Sequence, residues 1–174
     1  MPIPARGDIY HIEIADGEKV GHELSGGHWW VVLSVTQLNT HLHLFTAVPL
    51  TSVINKETGR PKDDGDFRFF RIRVLSSYKS RDPGRTDKIF DADSIALVEQ
   101  LRTFSDFRIK EPRAGTVDDD GLAAIEGGLL FVIGAGIHRQ KSVELSARAA
   151  PRSAINIPKE PPKPLPGKPF TSKA

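Results

Sequence analysis

The sequence contains no cysteine and no long apolar run, and these two absences limit what the protein can be. Without cysteine, disulfides and thiolate chemistry are excluded. No apolar run approaches the roughly 20 residues that a membrane-spanning helix needs, and residues 1–6 lack the apolar stretch of a signal peptide. We therefore expect a cytoplasmic protein that does not engage a membrane.

A positive charge spread over the whole chain is also lacking. The chain carries 24 Lys and Arg against 22 Asp and Glu, a net charge of +2. Residues 134–174 hold eight of the basic and two of the acidic side chains, which leaves 16 basic and 20 acidic ones in residues 1–133. The larger part of the chain is thus acidic, so it can bind nucleic acid only through a local groove.

The 174 residues are enough for one domain with an apolar core and an extension. Seven of the 13 prolines fall between Pro151 and Pro169, a composition that forms no core and favours extended conformations. We therefore predict one domain over residues 1–136 and a basic, proline-rich, largely disordered tail over 137–174. Such a tail can stay disordered, bind a proline-recognising partner or attract RNA electrostatically.

Short alternating or β-branched segments predict six or seven strands. The clearest of these are residues 7–15, 28–35, 41–50, 67–75 and 94–98. The first is expected to be half buried and the second buried on both faces. The stretch 37–40 predicts the turn of a hairpin between the second and third strands. Residues 55–66 and 76–88 are polar and predict loops, the first of them mobile.

One helix is predicted late in the chain. Thr116 is the expected N-cap, and the three aspartates at 118–120 suit the first turn. An apolar stripe with helical spacing follows, formed by Leu122, Ile125, Leu129 and Ile133. The glycines at 127–128 cost a helix roughly 1 kcal/mol each, so close packing against a sheet is expected there. Gly134 and Gly136 should end the helix. These elements predict a mainly β protein, a small barrel closed by one helix.

Five segments, in this order and at compatible spacings, resemble PemK/MazF toxins. They are residues 6–10 (RGDIY), 21–23 (GHE), 26–34 (GGHWWVVLS), 48–52 (VPLTS) and 98–103 (VEQLRT). The resemblance covers roughly residues 6–133 and does not extend to the tail. It implies an SH3-like, plasmid-maintenance-toxin barrel that forms a homodimer. It also implies the sequence-selective endoribonuclease of a type II toxin–antitoxin pair.

The resemblance also implies a chemistry. In this family, an RNA 2′-hydroxyl attacks the adjacent phosphate and leaves a 2′,3′-cyclic phosphate and a 5′-hydroxyl, without a metal or a cofactor. An acidic antitoxin blocks the RNA groove. Such an attack needs a base, a donor that neutralises the phosphorane, and an acid. Matching positions make His22, His28, Thr51 and Glu99 the candidate catalytic residues of this chain.

Each catalytic candidate also has a plain structural interpretation. His22 is of the residue type that most often transfers protons, yet it could be an exposed loop histidine. Thr51 can hydrogen-bond the scissile phosphate or simply end a strand. Glu99 can act as general base or orient Arg102. For Arg102 and Gln100 themselves, the family points mainly to a structural role in the barrel and the dimer.

His28 is where this sequence departs from the family, which usually has an arginine followed by a proline at this point. The chain instead reads His28-Trp29. An arginine would clamp phosphate permanently, whereas a histidine is charged only part of the time near neutral pH. Either His28 serves as acid or base in the same place, or the chain has lost catalytic power. A histidine that merely caps a buried strand is a third possibility.

Further side chains are candidates for RNA contact: Glu23, Trp29, Ser52, Arg71 and Arg73. Trp29 and Trp30 should face opposite sides of a strand, one in the core and one exposed, where it could stack on a base or pack at a dimer interface. Arg71 and Arg73 share one strand face and can contact phosphates or simply be solvated. His41 and His43 could chelate a metal from one strand face. They lack a third ligand, so no metal site is predicted.

A second function class stays open. A barrel of this lineage that lost the arginine could act as an RNA- or protein-binding module, and a sister lineage with the same barrel poisons DNA gyrase. The acidic body and His28 favour the binding module. The Gly-His-Glu segment and Thr51 favour the enzyme, and the five segments match the RNA-cutting branch better.

Overall fold

The structure is a computed structural model that describes residues 3–63 and 65–135. The predicted tail over 137–174, its boundary at 136 and Gly136 lie outside these residues. The described part contains β1 Asp8–Ile14, β2 Gly26–Val32, α1 Thr36–Leu42, β3 Leu44–Ser52, β4 Arg71–Val74, β5 Lys79–Arg81, β6 Ser94–Leu97, β7 Arg102–Ser105, β8 Gly115–Val117 and α2 Asp119–Val132. The predicted class, mainly β with one late helix, is confirmed, with eight strands instead of six or seven. Neither helix in this part has the length and apolar character needed to cross a bilayer.

The eight strands form one antiparallel sheet that is organised around β3. Along the sheet the order is β4-β6-β3-β2-β1-β8-β5, and β7 also pairs with β3. The nine residues of β3 are long enough to pair with β7 over the first half of the strand and with β6 over the second half. The end of β3 therefore lies between β2 and β6, in the middle of the sheet.

Alternate residues of the central strands bury two separate apolar clusters. On one face, Ile9, Val31 and Leu50 belong to a cluster that includes Leu122 and Ile125 of α2, and we call this the helix face. The cluster on the opposite face consists of Tyr10, Ile12, Ile14, Trp30, Val32, Phe45, Ala47 and Phe104. Because side chains alternate along a strand, odd and even positions of β1, β2 and β3 serve different clusters.

The two clusters explain how deeply the first two strands are buried. β1 is more buried than predicted, because apolar side chains cover both of its faces and only His11 and Glu13 reach solvent. β2 is buried on both faces over its last three residues, as predicted, but it ends at Val32 rather than at residue 35. The two tryptophans face opposite sides of β2 and Trp30 is in the core, as predicted. Trp29 is half buried rather than exposed, because it packs against the helix-face cluster.

The predicted hairpin turn at 37–40 is wrong, because the seven-residue helix α1 joins β2 to β3. Both strands still pair antiparallel. The buried side chain of Asn39 fixes the helix, since its Nδ2 donates to the carbonyl of Pro4 at 2.7 Å. His41 therefore lies in the helix, and His43 ends it with a left-handed φ of 52°, so the two do not share a strand face. No group of three or more metal-binding side chains occurs in residues 3–63 and 65–135.

The segment predicted as a strand over residues 67–75 is mostly outside the sheet. Only Arg71–Val74 pairs as β4, while Gly65–Phe69 forms a 3-10 turn. The Phe69 ring stacks on Phe131 of α2, with the ring centroids 5.2 Å apart. This turn thus packs against the helix instead of extending the strand. In the stretch predicted as a loop after it, Lys79–Arg81 pairs with β8 as β5.

The late helix is confirmed, but its cap is shifted by two residues. Asp118 is the N-cap, because its Oδ1 accepts from the Gly121 N–H at 2.9 Å. Thr116, the predicted cap, lies in β8. The expected close packing occurs at Gly128, where a Cβ atom would stand 2.5 Å from Cγ1 of Ile72 in β4. A side chain at this position would therefore push α2 away from the sheet.

The apolar stripe of α2 is buried only over the first part of the helix. Leu122 and Ile125 are buried, whereas Ile133 is 62% exposed. Gly127 faces open space, so the predicted close contact applies to one of the two helical glycines. The helix ends at Val132, and Gly134 follows with a left-handed φ of 72°.

Candidate active site

The opposite face of the sheet changes from apolar to polar beyond the β2–β3 ladder. The last pair of this ladder joins Trp29 to Leu50. His28 and Thr51 are the next residues along the two strands, so they flank each other just past that pair. Leu50 belongs to the helix face, so Thr51 points to the opposite face. The sheet thus places a histidine beside a threonine at the end of β3.

Thr51 receives a hydrogen bond from a lysine of the loop that follows β3. Lys62 Nζ donates to Thr51 Oγ1 at 2.7 Å and lies 3.5 Å from Ser52 Oγ. All three residues line a cleft of about 420 Å³, together with Asn55, Lys56 and Glu57. We call it the Lys62 cleft. Because the lysine supplies the hydrogen of this bond, the hydroxyl hydrogen of Thr51 can be donated to a ligand.

The charge on Lys62 is not neutralised by a neighbour. No ion pair in residues 3–63 and 65–135 includes Lys62. Burial lowers the pKa of Lys62, and the nearby cations Arg71 and Lys56 lower it further. An ammonium group in such surroundings is stabilised by an incoming anion.

Arg71 connects Lys62 to Glu99. Its Nε donates to Glu99 Oε1 at 3.1 Å, and its Nη1 donates to the carbonyl oxygen of Lys62 at 3.3 Å. The other carboxylate oxygen of Glu99 is buried without a hydrogen-bond partner in the described part of the chain. Thr51, Lys62, Arg71 and Glu99 therefore form one continuous chain of contacts, which we call the Lys62 network. The Thr51 hydroxyl has bonding capacity left for a substrate, whereas Glu99 Oε2 is buried.

Arg73 lies on the same strand face as Arg71, but its guanidinium is engaged. Nε and Nη2 each donate to a different oxygen of Asp63 at 3.0 Å. These hydrogen bonds hold the pKa of the Asp63 carboxyl below its ordinary value and raise the pKa of Arg73. Arg73 thus ties the loop after β3 to β4.

The two candidate histidines differ in their surroundings. His28 is half buried, and its Nε2 lies 3.0 Å from the carbonyl oxygen of Ser25. Since a carbonyl oxygen can only accept, this nitrogen carries a proton. His22 is exposed in the loop between β1 and β2, and its own carbonyl accepts from Gln100 Nε2 at 3.5 Å. This contact places the Gly-His-Glu loop beside the turn that contains Glu99.

A second cleft, of about 260 Å³, joins this loop to the turn after β6. It is lined by Ile14, Glu23, Leu24, Trp30, Glu99, Gln100, Leu101 and Arg102. Arg102 also lies 3.7 Å from Glu18 and sits 5.8 Å from the centre of the Phe104 ring. Trp30 Nε1 is buried and has no hydrogen-bond partner in the described part of the chain. The predicted residues Glu23, Gln100 and Arg102 therefore surround Glu99 rather than Thr51.

Trp29 shares a cleft with Ser52, another of the predicted RNA contacts. It packs against the helix-face cluster, and its ring centroid is 5.0 Å from that of His11. Ser52, at the end of β3, lines both the Lys62 cleft and a separate cleft of about 220 Å³ that includes Trp29. Trp29 and Thr51 thus point to different faces of the sheet.

No motif in the sequence points to Lys62. Its loop is charged and contains Gly and Pro, and this composition predicts only a mobile loop. In the structure this loop folds back on itself, and Ile54 and Pro61 form an isolated bridge. Asn55 starts the turn by accepting from two backbone N–H groups, and Gly59 completes it with a φ of 67°. Asn and Gly are the residues that such turns require. Their spacing is the signal that could have predicted the return of the chain toward Thr51.

Solved structures share this fold at low sequence identity. MazF (Form-I) from Deinococcus radiodurans is 19% identical, covers 77% of this chain and 99% of that chain, and has a TM-score of 0.51. The MazE–MazF structure (Form-II) from the same organism is 18% identical, with coverages of 77% and 98% and a TM-score of 0.47. An endoribonuclease from Mycobacterial species is 16% identical, with coverages of 77% and 94% and a TM-score of 0.45. No curated protein matches the chain.

The family is shown by the sequence itself. The profile described as PemK-like, MazF-like toxin of type II toxin-antitoxin system matches residues 5–133. This match covers well over half of the chain, including all eight strands and α2. It also includes His28, Thr51, Lys62 and Glu99. The chain therefore belongs to the PemK-like, MazF-like toxin family of type II toxin–antitoxin systems.

Proposed function

We propose that this chain is an endoribonuclease toxin that cuts RNA sequence-selectively, without a metal, through internal attack of a 2′-hydroxyl. The observation that carries the proposal is the position of Thr51. It ends β3 beside His28, receives a hydrogen bond from Lys62 and lines the Lys62 cleft. The membership of the chain in the PemK-like, MazF-like toxin family supports the same activity.

The reaction needs a base that removes one proton and an acid that supplies another. The 2′-oxygen loses its proton to a base and bonds to the adjacent phosphorus, while the bond from phosphorus to the 5′-oxygen breaks and that oxygen takes a proton from an acid. The products are a 2′,3′-cyclic phosphate and a 5′-hydroxyl. We assign Glu99 as the base, because it lines the second cleft together with Glu23 of the Gly-His-Glu loop. We assign His28 as the acid, because it is the histidine that the strand register places beside Thr51.

Two further residues complete the proposed site. Thr51 donates its hydroxyl hydrogen to a non-bridging oxygen of the scissile phosphate, where negative charge develops in the transition state. His22, in the loop whose carbonyl contacts Gln100, is the second histidine able to exchange a proton with the RNA. Both act without any group beyond the side chains of this chain.

The proposal includes partners. The substrate is RNA in the cytoplasm, the active species is a homodimer, and an acidic antitoxin blocks the site. The family description names a toxin–antitoxin system. Lys56 and Lys62 line the cleft beside Thr51, so acidic side chains of an antitoxin would complement it.

The test is incubation of the purified full chain with a long RNA in EDTA, followed by analysis of the RNA ends. We expect products with 5′-hydroxyl ends. His28→Ala should lower the rate roughly 10²- to 10⁴-fold, the range for loss of a general acid or base, and Thr51→Ala should also lower it strongly. His41→Ala is the matched control, because this exposed histidine lies on α1 and lines neither cleft. Failure to cut any RNA in EDTA would overturn the proposal.

A pH profile tests the histidine roles separately. If His28 exchanges a proton with the RNA, the cleavage rate should titrate between about pH 5.5 and 7.5. The profile of His28→Ala should lose this transition. A flat wild-type profile over that range would exclude a proton-transfer role for both His22 and His28.

One observation favours a second function. Residues 1–133 carry 16 basic and 20 acidic side chains, and an acidic body is unusual for a protein that attracts RNA. The alternative is a binding module that holds RNA or protein without cutting it. Tight association of the wild-type chain with an RNA that stays intact, unchanged in Thr51→Ala, would support this alternative.

A further inference from the structure

We propose that Lys62 is a catalytic residue that holds the scissile phosphate together with Thr51 and supplies the fixed positive charge of the site. This inference rests on the proposed RNA cleavage. Its starting point is the 2.7 Å hydrogen bond from Lys62 Nζ to Thr51 Oγ1. His28 stands where the family usually has an arginine, which is a permanent cation, so the fixed positive charge beside Thr51 comes from another residue.

The hydrogen bonds of Lys62 leave room for a phosphate. An ammonium group has three N–H donors. One of them binds Thr51, a second lies within 3.5 Å of Ser52 Oγ, and both acceptors are uncharged hydroxyls. At least one donor and the full charge are therefore left for a ligand in the Lys62 cleft. Because Thr51 accepts from Lys62, its own hydroxyl hydrogen is free for the same ligand, and the two donors together suit two oxygens of one phosphate.

The charged residues near Lys62 cannot supply the cation that holds the scissile phosphate. Arg73 uses two N–H groups on Asp63, and Arg71 donates to Glu99. The carboxylate that lines the Lys62 cleft is that of Glu57, and Lys62 makes no ion pair with it in the described part of the chain. Lys62 thus combines direct contact with Thr51 and an uncompensated charge.

The backbone around Lys62 is fixed before any ligand arrives. Its N–H donates to the carbonyl of Val53 at 2.8 Å, and its carbonyl accepts from Arg71 Nη1 at 3.3 Å. The next residue, Asp63, is held by Arg73 through two bonds. A donor that is already positioned needs no reorganisation when charge develops on the phosphate, and such donors contribute most to catalysis.

The experiment compares four full-length proteins: wild type, Lys62→Met, Lys62→Arg and Lys110→Met. Lys110 is the matched control, since it is an exposed lysine that lines neither the Lys62 cleft nor the cleft beside Glu99. Single-turnover cleavage is measured on an RNA that the wild type cuts. Binding is measured over a range of salt on the same RNA with a 2′-deoxy substitution at the cut site, which prevents cleavage.

We expect Lys62→Met to cut roughly 10²- to 10³-fold more slowly, the loss found when a preorganised donor is removed. Lys62→Arg should recover most of this loss, because the charge returns, and Lys110→Met should change the rate little. The slope of log Kd against log salt should fall by about 0.7 in Lys62→Met, the value for one phosphate contact on a single strand.

Three results would overturn the inference. The first is cleavage by the wild type with a nearly equal cleavage rate in Lys62→Met, and this result would leave the proposed function unaffected. The second is an equal loss in Lys62→Met and Lys62→Arg with an unchanged salt slope, which shows a structural role. The third is absence of any wild-type cleavage, which overturns the proposed function and this inference together. Thermal unfolding of each protein checks its folding, and Lys62→Gln replaces Lys62→Met if the latter does not fold.

Discussion

Two networks of charged and hydroxyl groups lie on this sheet, and they differ in how their cations are balanced by carboxylates. The Lys62 network combines one hydroxyl, two cations and one carboxylate. The second, which we call the Arg113 network, combines Arg113 with Asp8, Asp82 and Tyr10. Arg113 donates twice to Asp82, at 2.8 and 3.1 Å, and once to Asp8, at 3.0 Å. Tyr10 also donates to Asp8, at 3.3 Å.

The pKa shifts of the two cations have opposite signs. Hydrogen bonds to Asp82 and Asp8 raise the pKa of Arg113, so its charge is stabilised within the protein. Burial and the nearby Arg71 and Lys56 lower the pKa of Lys62. In the Arg113 network two carboxylates surround one cation, whereas in the Lys62 network Glu99 binds Arg71 and no ion pair among the described residues includes Lys62.

This difference separates a structural network from a functional one. The Arg113 network satisfies its own charges and connects β1 to two distant segments of the chain. Such a network stabilises the fold and has little left to offer a ligand. The Lys62 network is incomplete without an anion, and perturbed, unsatisfied groups of this kind cluster at functional sites. Similar residue types thus have different roles because of the balance of charge around them.

The largest expected effect is a difference in the free energy of unfolding between variants of the two networks. Arg113→Met leaves the carboxylate of Asp8, whose side chain is 5% exposed, without its cation, so the free energy of unfolding should fall by about 3 kcal/mol. Lys62→Met removes a charge that has no ion-pair partner in residues 3–63 and 65–135, so its loss should stay under about 1 kcal/mol. Urea denaturation of both variants measures this. Equal losses would contradict the division into a structural and a functional network.

Lys79 gives an intermediate case, a buried cation held by neutral oxygens. Its Nζ donates to the carbonyls of Ile89 and Ala92 and to the hydroxyl of Ser94. Burial lowers the pKa of Lys79 from 10.5 to about 8, and Asp93 and Asp91 only partly offset this. Between these values the unfolded chain binds the proton more tightly than the folded one. The free energy of unfolding should therefore rise with pH over this window, by roughly 2 kcal/mol.

The matched control for this effect is Lys79→Met, which has no group to titrate at this position. Denaturation of both proteins at several pH values between about 7 and 10 isolates the contribution of Lys79 as the difference between the two curves. That difference should move in favour of the wild type as pH rises. A constant difference would mean that the amine keeps its ordinary pKa in the folded protein.

The fold was predictable where local patterns determine it. Alternation identified β1 and β6, and the acids at 118–120 marked the start of α2. The helix α1 was not predictable in this way, because the contact that fixes it joins Asn39 to Pro4, 35 residues earlier. Likewise, the turn before β4 follows from packing of Phe69 on Phe131. Both errors come from tertiary contacts that override short-range patterns.

The site was predictable only where a motif marked it. The segment that ends β3 pointed to Thr51, and the sheet register then places it beside His28. Lys62 belongs to no such segment, and its contact with Thr51 depends on how a loop closes. The direction of Trp29 is a second example, because this side chain packs against a cluster that includes residues of α2. Loop closure and the choice of face are properties of the whole fold, so a short motif does not contain them.

The smallest expected effect comes from the ion pair at the border of the Lys62 network. Asp63→Asn removes the carboxylate that binds Arg73, a partly exposed pair, so the unfolding free energy should change by less than about 1 kcal/mol. The freed guanidinium should then contact a phosphate, and the slope of log Kd against log salt on the uncleavable RNA should steepen by about 0.7. The same substitution in an Arg73→Met background should leave the slope unchanged. If Asp63→Asn alone leaves the slope unchanged, Arg73 does not contact the RNA, and the Lys62 network ends at Arg71.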